Sequence, residues 1–220
     1  MKTEKGYQRG QGRGTQGGGE VRIIGGTLRG QRVPVAPRPG LRPTPGRSRE
    51  TLFNWLREDL QDAVVLDVFA GSGALGLEAL SRGARAVTFI EKDRRAAQVL
   101  RNTLERLGGA GTTLLERDAL IVLAKSPFPQ PFDLVFIDPP FATSLAQEAL
   151  TALVAGALLA PGAKVYVEVP QGTDLTLPDG FEPLRQTQAG ESVAQLLLWA
   201  PPPSGPGGPG NAFVTPETMG

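Results

Sequence analysis

The sequence predicts a doubly wound α/β fold, a mostly parallel sheet with helices on both faces. Three observations predict it. From residue 63 onward, short apolar runs alternate with segments of helical periodicity. The runs are continuous rather than alternating, as in strands buried on both faces. The chain has 220 residues, which suits one such domain with tails.

Taken in order, residues 1–19 are basic and Gly-rich with little that is apolar, and are expected to be disordered. "VRIIGGTLRGQRVPV" reads as two short strands around Gly25-Gly26, a β-hairpin signal. "APRPGLRPTPG" is an irregular Pro-rich connection. In "RSRETLFNWLREDL", Leu52, Phe53, Leu56 and Leu60 recur at helical spacing, with Ser48 a candidate N-cap. "AVVLDVF" is the first buried strand. "GALGLEALSRG" is a helix ending at Gly83, and "AVTFIE" a second strand. "DRRAAQVLRNTLERLG" is a helix ended by Gly108, "TTLLERD" a third strand and "ALIVLAKS" a short helix. "FDLVFID" is a fourth strand. "TSLAQEALTALVAGALL" is a helix closed by Pro161-Gly162, and "AKVYVEV" a fifth strand. "FEPLRQTQ" and "SVAQLLLWA" leave no room for a helix between them, so they form an antiparallel pair at the sheet edge. Residues 201–220 hold six Pro and five Gly, a flexible tail.

Composition narrows the chemistry. Cys and His are both absent. That excludes disulfides, Cys/His zinc sites, Cys nucleophiles and His-based triads. No metal is expected. No apolar run approaches the roughly 18 residues of a membrane span, and the basic start lacks the apolar core of a secretory signal. A cytoplasmic location is the expectation. The net charge of +1 conceals an asymmetry: residues 1–49 carry 11 Lys/Arg against Glu4 and Glu20, and the rest of the chain is acidic. A basic arm on an acidic body points to a polyanionic partner. Arg29, Arg32, Arg42, Arg47 and Arg49 are the candidate nucleic-acid-binding residues.

Ligands of doubly wound sheets bind at the carboxyl ends of the strands. Here those ends carry Asp67, Glu91, Asp118 and Asp138. The loop after the first strand, "DVFAGSGALG", has Gly71, Gly73 and Gly76 in the G-x-G-x-x-G spacing of a dinucleotide turn. A pyrophosphate over that loop disfavours a neighbouring carboxylate, and Asp67 is one. A carboxylate there suits a cationic ligand with an adenosine moiety, and S-adenosyl-L-methionine has a sulfonium, an ammonium and no phosphate. Gly76 then serves close packing within the helix. Glu91 is placed for two ribose hydroxyls and Asp118 for an adenine amine. Asp118 has a competing reading as a helix N-cap. The candidate cofactor-binding residues are Asp67, Phe69, Ala70, Gly71, Ser72, Gly73, Glu91, Lys92, Asp118 and Ala119.

The fourth strand leads into Asp138-Pro139-Pro140-Phe141, the candidate catalytic residues. Each Pro fixes its own φ and keeps the preceding residue extended. Such a turn projects the Asp138 carboxylate and leaves the Pro139 carbonyl to accept, beside the aromatic face of Phe141. Two acceptors next to a flat apolar plate suit a flipped-out base bearing an exocyclic amine.

The segments "RIIGGTLRG", "GLRPTPGRSRETLFNWL", "LDVFAGSGALGLEALSRGA" and "VFIDPPF" resemble the RsmD family of bacterial S-adenosylmethionine-dependent methyltransferases, in the same order over about residues 21–200. The resemblance implies a Rossmann-like class I methyltransferase fold: a seven-stranded, mostly parallel sheet with an antiparallel last strand, plus a small N-terminal β-hairpin extension. It implies N2-methylation of one guanine in small-subunit (16S) ribosomal RNA, presented on an assembling subunit, by direct transfer from S-adenosyl-L-methionine. It divides the chain into a tail over 1–19, a hairpin and RNA-contact segment over 20–46, a methyltransferase domain over 47–200 and a tail over 201–220. A monomer is the expectation. Gly46 stands where the family usually has an acidic residue, and the last strand lacks its usual aromatic residues. Alternatives left open are an adenine-N6 or cytosine-N4 DNA methyltransferase, an NAD oxidoreductase, and a non-enzymatic RNA-binding module. A thiolate-type cytosine-C5 enzyme is excluded by the absence of Cys.

Overall fold

The computed structural model of the protein describes residues 19–37, 46–140 and 143–202. Both predicted tails lie almost wholly outside these residues, as do Arg42 and Phe141; of Arg47 only the backbone is described.

Fourteen elements follow one another among the described residues. They are β1 (Glu20–Arg22), β2 (Arg32–Pro34), α1 (Gly46–Trp55), β3 (Val64–Asp67), α2 (Ala74–Ser81), β4 (Ala86–Ile90), α3 (Arg94–Arg106), β5 (Thr112–Leu115), α4 (Ala119–Lys125), β6 (Phe132–Ile137), α5 (Thr143–Ala155), β7 (Leu159–Pro170), β8 (Phe181–Ala189) and β9 (Ser192–Trp199). The main sheet has seven strands in the order β5-β4-β3-β6-β7-β9-β8. The first five in that order pair in parallel, and β9 runs antiparallel to both β7 and β8. The predicted α/β sheet, its seven strands and its antiparallel edge are all present.

Burial explains the strand composition. All four residues of β3 are buried, because helices cover both faces. One face packs against α1, α2 and α3 through Phe53, Leu56, Leu77, Leu100 and Phe136. The other packs against α4 and α5 through Val122, Leu123, Leu150, Leu153 and Val165. In α3, Ala96, Ala97, Leu100 and Leu104 form the buried stripe, and Asp93 caps the helix by accepting from the Ala96 amide at 2.8 Å. The sequence runs outward from β3 to β4 and β5, then returns to β6 on the other side. The strand order therefore reverses between β3 and β6, which opens a crevice above their carboxyl ends.

Two boundaries differ from the sequence reading. Helix α5 ends at Ala155, not at Pro161-Gly162, which lie within β7. The Leu158 amide bonds the Leu153 carbonyl and the Ala157 amide bonds the Val154 carbonyl, both at 3.0 Å, a Schellman closure. Ala157 occupies its left-handed position with φ 50°, where glycine is the usual signal. Helix α1 begins at Gly46, so Ser48 lies inside it rather than capping it.

The N-terminal hairpin also differs in its turn. Strands β1 and β2 pair as expected, but residues 23–31 between them form a longer loop. Gly25 and Gly26 dock that loop on α2. The fully buried Glu78 carboxylate accepts from the amides of Ile24 and Gly25 at 2.7 and 2.8 Å. Ser81 Oγ accepts from the Leu28 amide at 2.8 Å, and the Ser81 carbonyl accepts from the Thr27 amide at 2.7 Å. Gly26 has φ 75°, and a Cβ there would lie 1.8 Å from the Ser81 carbonyl oxygen. Only glycine fits. This docking makes the hairpin and its following residues one wall of the crevice.

Candidate active site

A cavity of about 750 Å³ lies over the carboxyl ends of β3, β4, β5, β6 and β7. Its size suits a small-molecule ligand. The loop after β3 forms its floor. Phe69, Ala70, Gly71 and Ser72 all line it, with Asp67 at the strand end. Gly71 has φ 55°, and a Cβ there would meet only the Phe69 carbonyl oxygen, at 4.0 Å. The position above Gly71 is thus open to a ligand. Gly73 has a different task. It does not line the cavity; a Cβ on it would fall 2.5 Å from Leu100 Cδ1. Gly76 likewise packs closely, with a Cβ position 2.3 Å from Phe89 Cε1, as its place in the helix suggested.

Asp67 is 2% exposed, and its Oδ2 accepts from the Gly76 amide at 3.0 Å. It thereby satisfies one of the unpaired amides at the start of α2, where Gly73 has no side chain to do so. Burial pushes its carboxyl up to about 7; the Gly76 bond opposes this and the Glu91 charge adds to it. A cation beside it restores the ionised form.

At the end of β4, Glu91 is buried and ties the site together. Oε2 accepts from the Gly71 amide at 2.8 Å and Oε1 from the Asp93 amide at 2.7 Å. Lys92 follows it, with Nζ 3.8 Å from Asp118 Oδ2. Asp118 Oδ1 accepts from the Leu120 amide at 3.0 Å, so Asp118 does cap α4. It also lines the cavity beside Ala119, so its capping role does not take it out of the site. At the end of β6, Asp138, Pro139 and Pro140 line the same cavity. All three strand-end acids, the glycine loop and the Asp-Pro-Pro turn thus converge on one space. Seven carboxylate side chains line it against Arg49, Lys92 and Arg117. The resulting field favours a cationic ligand. The donors and acceptors fit S-adenosyl-L-methionine: an open glycine backbone, a carboxylate at each of three strand ends, and an acidic field. Among the described residues, no group of His, Cys, Asp and Glu could hold a metal ion.

The arginines divide. Arg29 and Arg32 are exposed on the hairpin, and Arg32 Nη1 lies 3.3 Å from Glu20. Arg49 is only 6% exposed and lines the cavity wall. Its Nη2 donates to the Arg22 carbonyl at 3.1 Å, and burial pushes its pKa down. An open-surface phosphate contact does not match that burial. The cause was readable: Arg49 stands three and four residues before Leu52 and Phe53, on the buried stripe of α1. Two residues went unread. Glu168, at the carboxyl end of β7, lines the cavity, and Tyr166 donates to its Oε2 at 2.8 Å. The strand-end rule that found the other acids also reaches Glu168.

Known proteins match this arrangement. The model of a family described as Conserved hypothetical protein 95 matches residues 21–198. Ribosomal RNA small subunit methyltransferase D of Escherichia coli strain K12 is 44% identical over 181 residues, covering 82% of this chain and 90% of the relative. That of Haemophilus influenzae is 43% identical over 175 residues, covering 78% of this chain and 90% of the relative. A solved structure of a putative methyltransferase from Escherichia coli superposes with a TM-score of 0.74 at 39% identity, covering 83% of this chain and 99% of that one. With its fold, its strand-end acids and these matches in agreement, the chain belongs to the Conserved hypothetical protein 95 family, that of the ribosomal RNA small subunit methyltransferases D.

Proposed function

We propose that the protein methylates N2 of one guanine in small-subunit ribosomal RNA, using S-adenosyl-L-methionine, on the subunit or its assembly intermediate. One observation carries this reading. Asp138-Pro139-Pro140 opens into the same cavity as the glycine loop, Glu91 and Asp118. The relatives from Escherichia coli and Haemophilus influenzae, both methyltransferases of small-subunit ribosomal RNA, support the substrate class.

The strand order supports a role for each residue. Across the sheet edge, Asp118, Glu91, Asp67 and Asp138 stand at or just past the carboxyl ends of β5, β4, β3 and β6. Asp118 would take the adenine amine, Glu91 the ribose hydroxyls and Asp67 the cationic end. When bound, the cofactor supplies an electrophilic sulfonium methyl. Asp138 and the Pro139 carbonyl accept from the two N–H bonds of the guanine amine. Those bonds turn the nitrogen lone pair out of conjugation and hold it in line. Asp138 accepts the proton the amine sheds. Phe141 supplies the aromatic face for the flipped base. The work is positioning and aligned hydrogen bonding, with no covalent enzyme intermediate. Arg29 and Arg32, with Arg42 and Arg47, would contact phosphate.

Mass mapping of methylated guanines in small-subunit RNA from cells with and without the protein tests the proposal. One N2-methylguanine should vanish without it. An unchanged guanine map, or loss of a methyl on another base, overturns it.

A further inference from the structure

Beside the Asp138 turn lies a second carboxylate that the methyl-transfer reading leaves without a task. In the β6–β7 register, Phe136 pairs with Tyr166 and Ile137 with Val167. The next step along both parallel strands brings Asp138 level with Glu168. Strand side chains alternate, so Phe136 and Asp138 share a face with Tyr166 and Glu168. The Phe136 and Tyr166 rings, 6.4 Å apart, mark that face. Tyr166 feels both carboxylates: burial first, then the charges of Glu168 and Asp138, raise its hydroxyl well above the ordinary value.

Glu168 is 9% exposed and lines the cavity. Its Oε2 accepts from Tyr166, itself 1% exposed, so its direction is fixed. Oε1 has no hydrogen-bond partner among the described residues. The position is one strand beyond Asp138, on the side away from β3 and β4, whose ends carry the proposed cofactor residues. Strands lie about 4.8 Å apart, the scale of one base edge.

We infer that Glu168, oriented by Tyr166, is a specificity-determining residue that accepts the N1–H of the target guanine while Asp138 and Pro139 hold its N2 amine. The inference rests on the guanine-N2 reading above and deepens it. The chemistry discriminates among bases. In guanine the exocyclic amine is flanked by a ring N–H donor. In adenine and cytosine the amine that would be methylated is flanked by a ring nitrogen lone pair. A carboxylate beside the amine site accepts from the first and repels the second and third. One residue thus provides both attraction and rejection. A site built to bond an N–H discriminates strongly against an analogue lacking it, because its own acceptor is left unpaired.

The test compares the full-length native protein with Glu168→Gln and Tyr166→Phe. Small-subunit particles are rebuilt with guanine or 2-aminopurine at the target position. 2-Aminopurine keeps the N2 amine and replaces the N1–H with a lone pair. The native protein is expected to prefer guanine by about 100-fold in methyl transfer, the discrimination supplied by one hydrogen bond to a charged group. In Glu168→Gln, whose amide can donate to that lone pair, the preference should fall below about tenfold. Tyr166→Phe, which frees the carboxylate without removing it, should fall between them. Affinity for S-adenosylhomocysteine should stay within twofold in all three, since the residue lies off the cofactor side. A guanine preference unchanged in both variants overturns the inference, whatever happens to the absolute rates. Should Glu168→Gln lose S-adenosylhomocysteine binding, the Tyr166→Phe ratio decides alone. Native transfer to a base other than guanine instead overturns the functional reading itself, so the two failures are distinguishable.

Discussion

The Glu91 carboxylate accepts the backbone amide of Gly71 across 2.8 Å, joining the end of β4 to the loop that follows β3. Its second oxygen accepts from Asp93 at 2.7 Å, so a single side chain shapes the glycine loop and the approach to α3. Glu91→Gln turns one acceptor into a donor that faces an N–H. The lost bond should cost about 1–3 kcal/mol of stability. Affinity for S-adenosylhomocysteine should fall at least about tenfold, through the proposed ribose contacts and the loosened loop together. Thermal melting and calorimetric titration read the two effects separately. Native affinity in this variant contradicts the ribose assignment.

Asp67 gives the protein a pH signature. Its carboxyl sits at about 7 in the fold, against 3.8 ordinarily. The folded state therefore holds a proton that the unfolded state releases. Stability from this group is fully present below pH 4 and is lost as pH rises through about 7. The loss is on the order of 4 kcal/mol. Asp67→Asn keeps an acceptor for the Gly76 amide and removes the titration. It should be at least as stable as the native protein at pH 8 and lack the decline between pH 4 and 7. A bound cation favours the ionised carboxylate, so native affinity for S-adenosylmethionine should rise with pH up to about 7 and then level. In Asp67→Asn that contribution should vanish. Denaturation series and titrations across pH check both.

Much of this site was legible because its residues obey a local rule. Asp67, Glu91, Asp118 and Asp138 each end an apolar run, and the alternation of runs with helices places those ends on one edge. What escaped depends on contacts remote in sequence. Glu78 looks like a solvent-facing acid on α2, yet it is fully buried because Ile24 and Gly25, over 50 residues earlier, bring their amides to it. Arg49 has a charge that says surface and a helical position that says interior, and packing decided for the interior. Ala157 closes α5 in a conformation for which its side chain gives no sign. Asp118 shows the reverse: capping α4 does not withdraw the side chain from the cavity, which it also lines.

Hairpin docking can be broken at either partner. Glu78 accepts from two hairpin amides and from Arg82 Nε at 2.7 Å. Glu78→Ala strands three donors and should destabilise the fold by about 3–5 kcal/mol. Gly26→Ala forces a Cβ to within 1.8 Å of a backbone oxygen, so the loop must lift. Hydrogen exchange should accelerate at Leu28, Ile23 and Val33 in both variants while the amides of β3 and β6 keep their protection. Equal acceleration across the sheet would mean that the hairpin is not a separate docking unit.

The proposed phosphate contacts on the hairpin predict a graded response to salt. Arg29 is exposed, whereas Arg32 pairs with Glu20 at 3.3 Å. Arg29→Ala should reduce the slope of log affinity for small-subunit particles against log salt by about 0.7. Arg32→Ala should reduce it less, because Glu20 already neutralises part of its charge. Filter binding across a salt series measures both. Identical slopes in the native protein and Arg29→Ala would remove that residue from the RNA contact.

On the proposed mechanism, substitution of Asp138 should separate binding from chemistry. It lines the cavity just past the end of β6, across β3 from the proposed ribose and adenine contacts. Asp138→Ala removes the acceptor that would align the amine and take its proton, a general-base loss of about 10²–10⁴ in rate. Asp138→Asn keeps one oxygen acceptor but cannot take a proton at neutral pH. It should retain amine alignment and transfer at a rate between Asp138→Ala and native. Affinity for S-adenosylhomocysteine should change less than about threefold in both, because the proposed contacts to that ligand lie at the β3, β4 and β5 ends. Single-turnover methyl transfer to particles lacking the modification supplies the rates, and titration supplies the affinities. A rate loss matched by an equal affinity loss would place Asp138 on the cofactor rather than on the base. Native transfer by Asp138→Ala would move the catalytic role away from this turn.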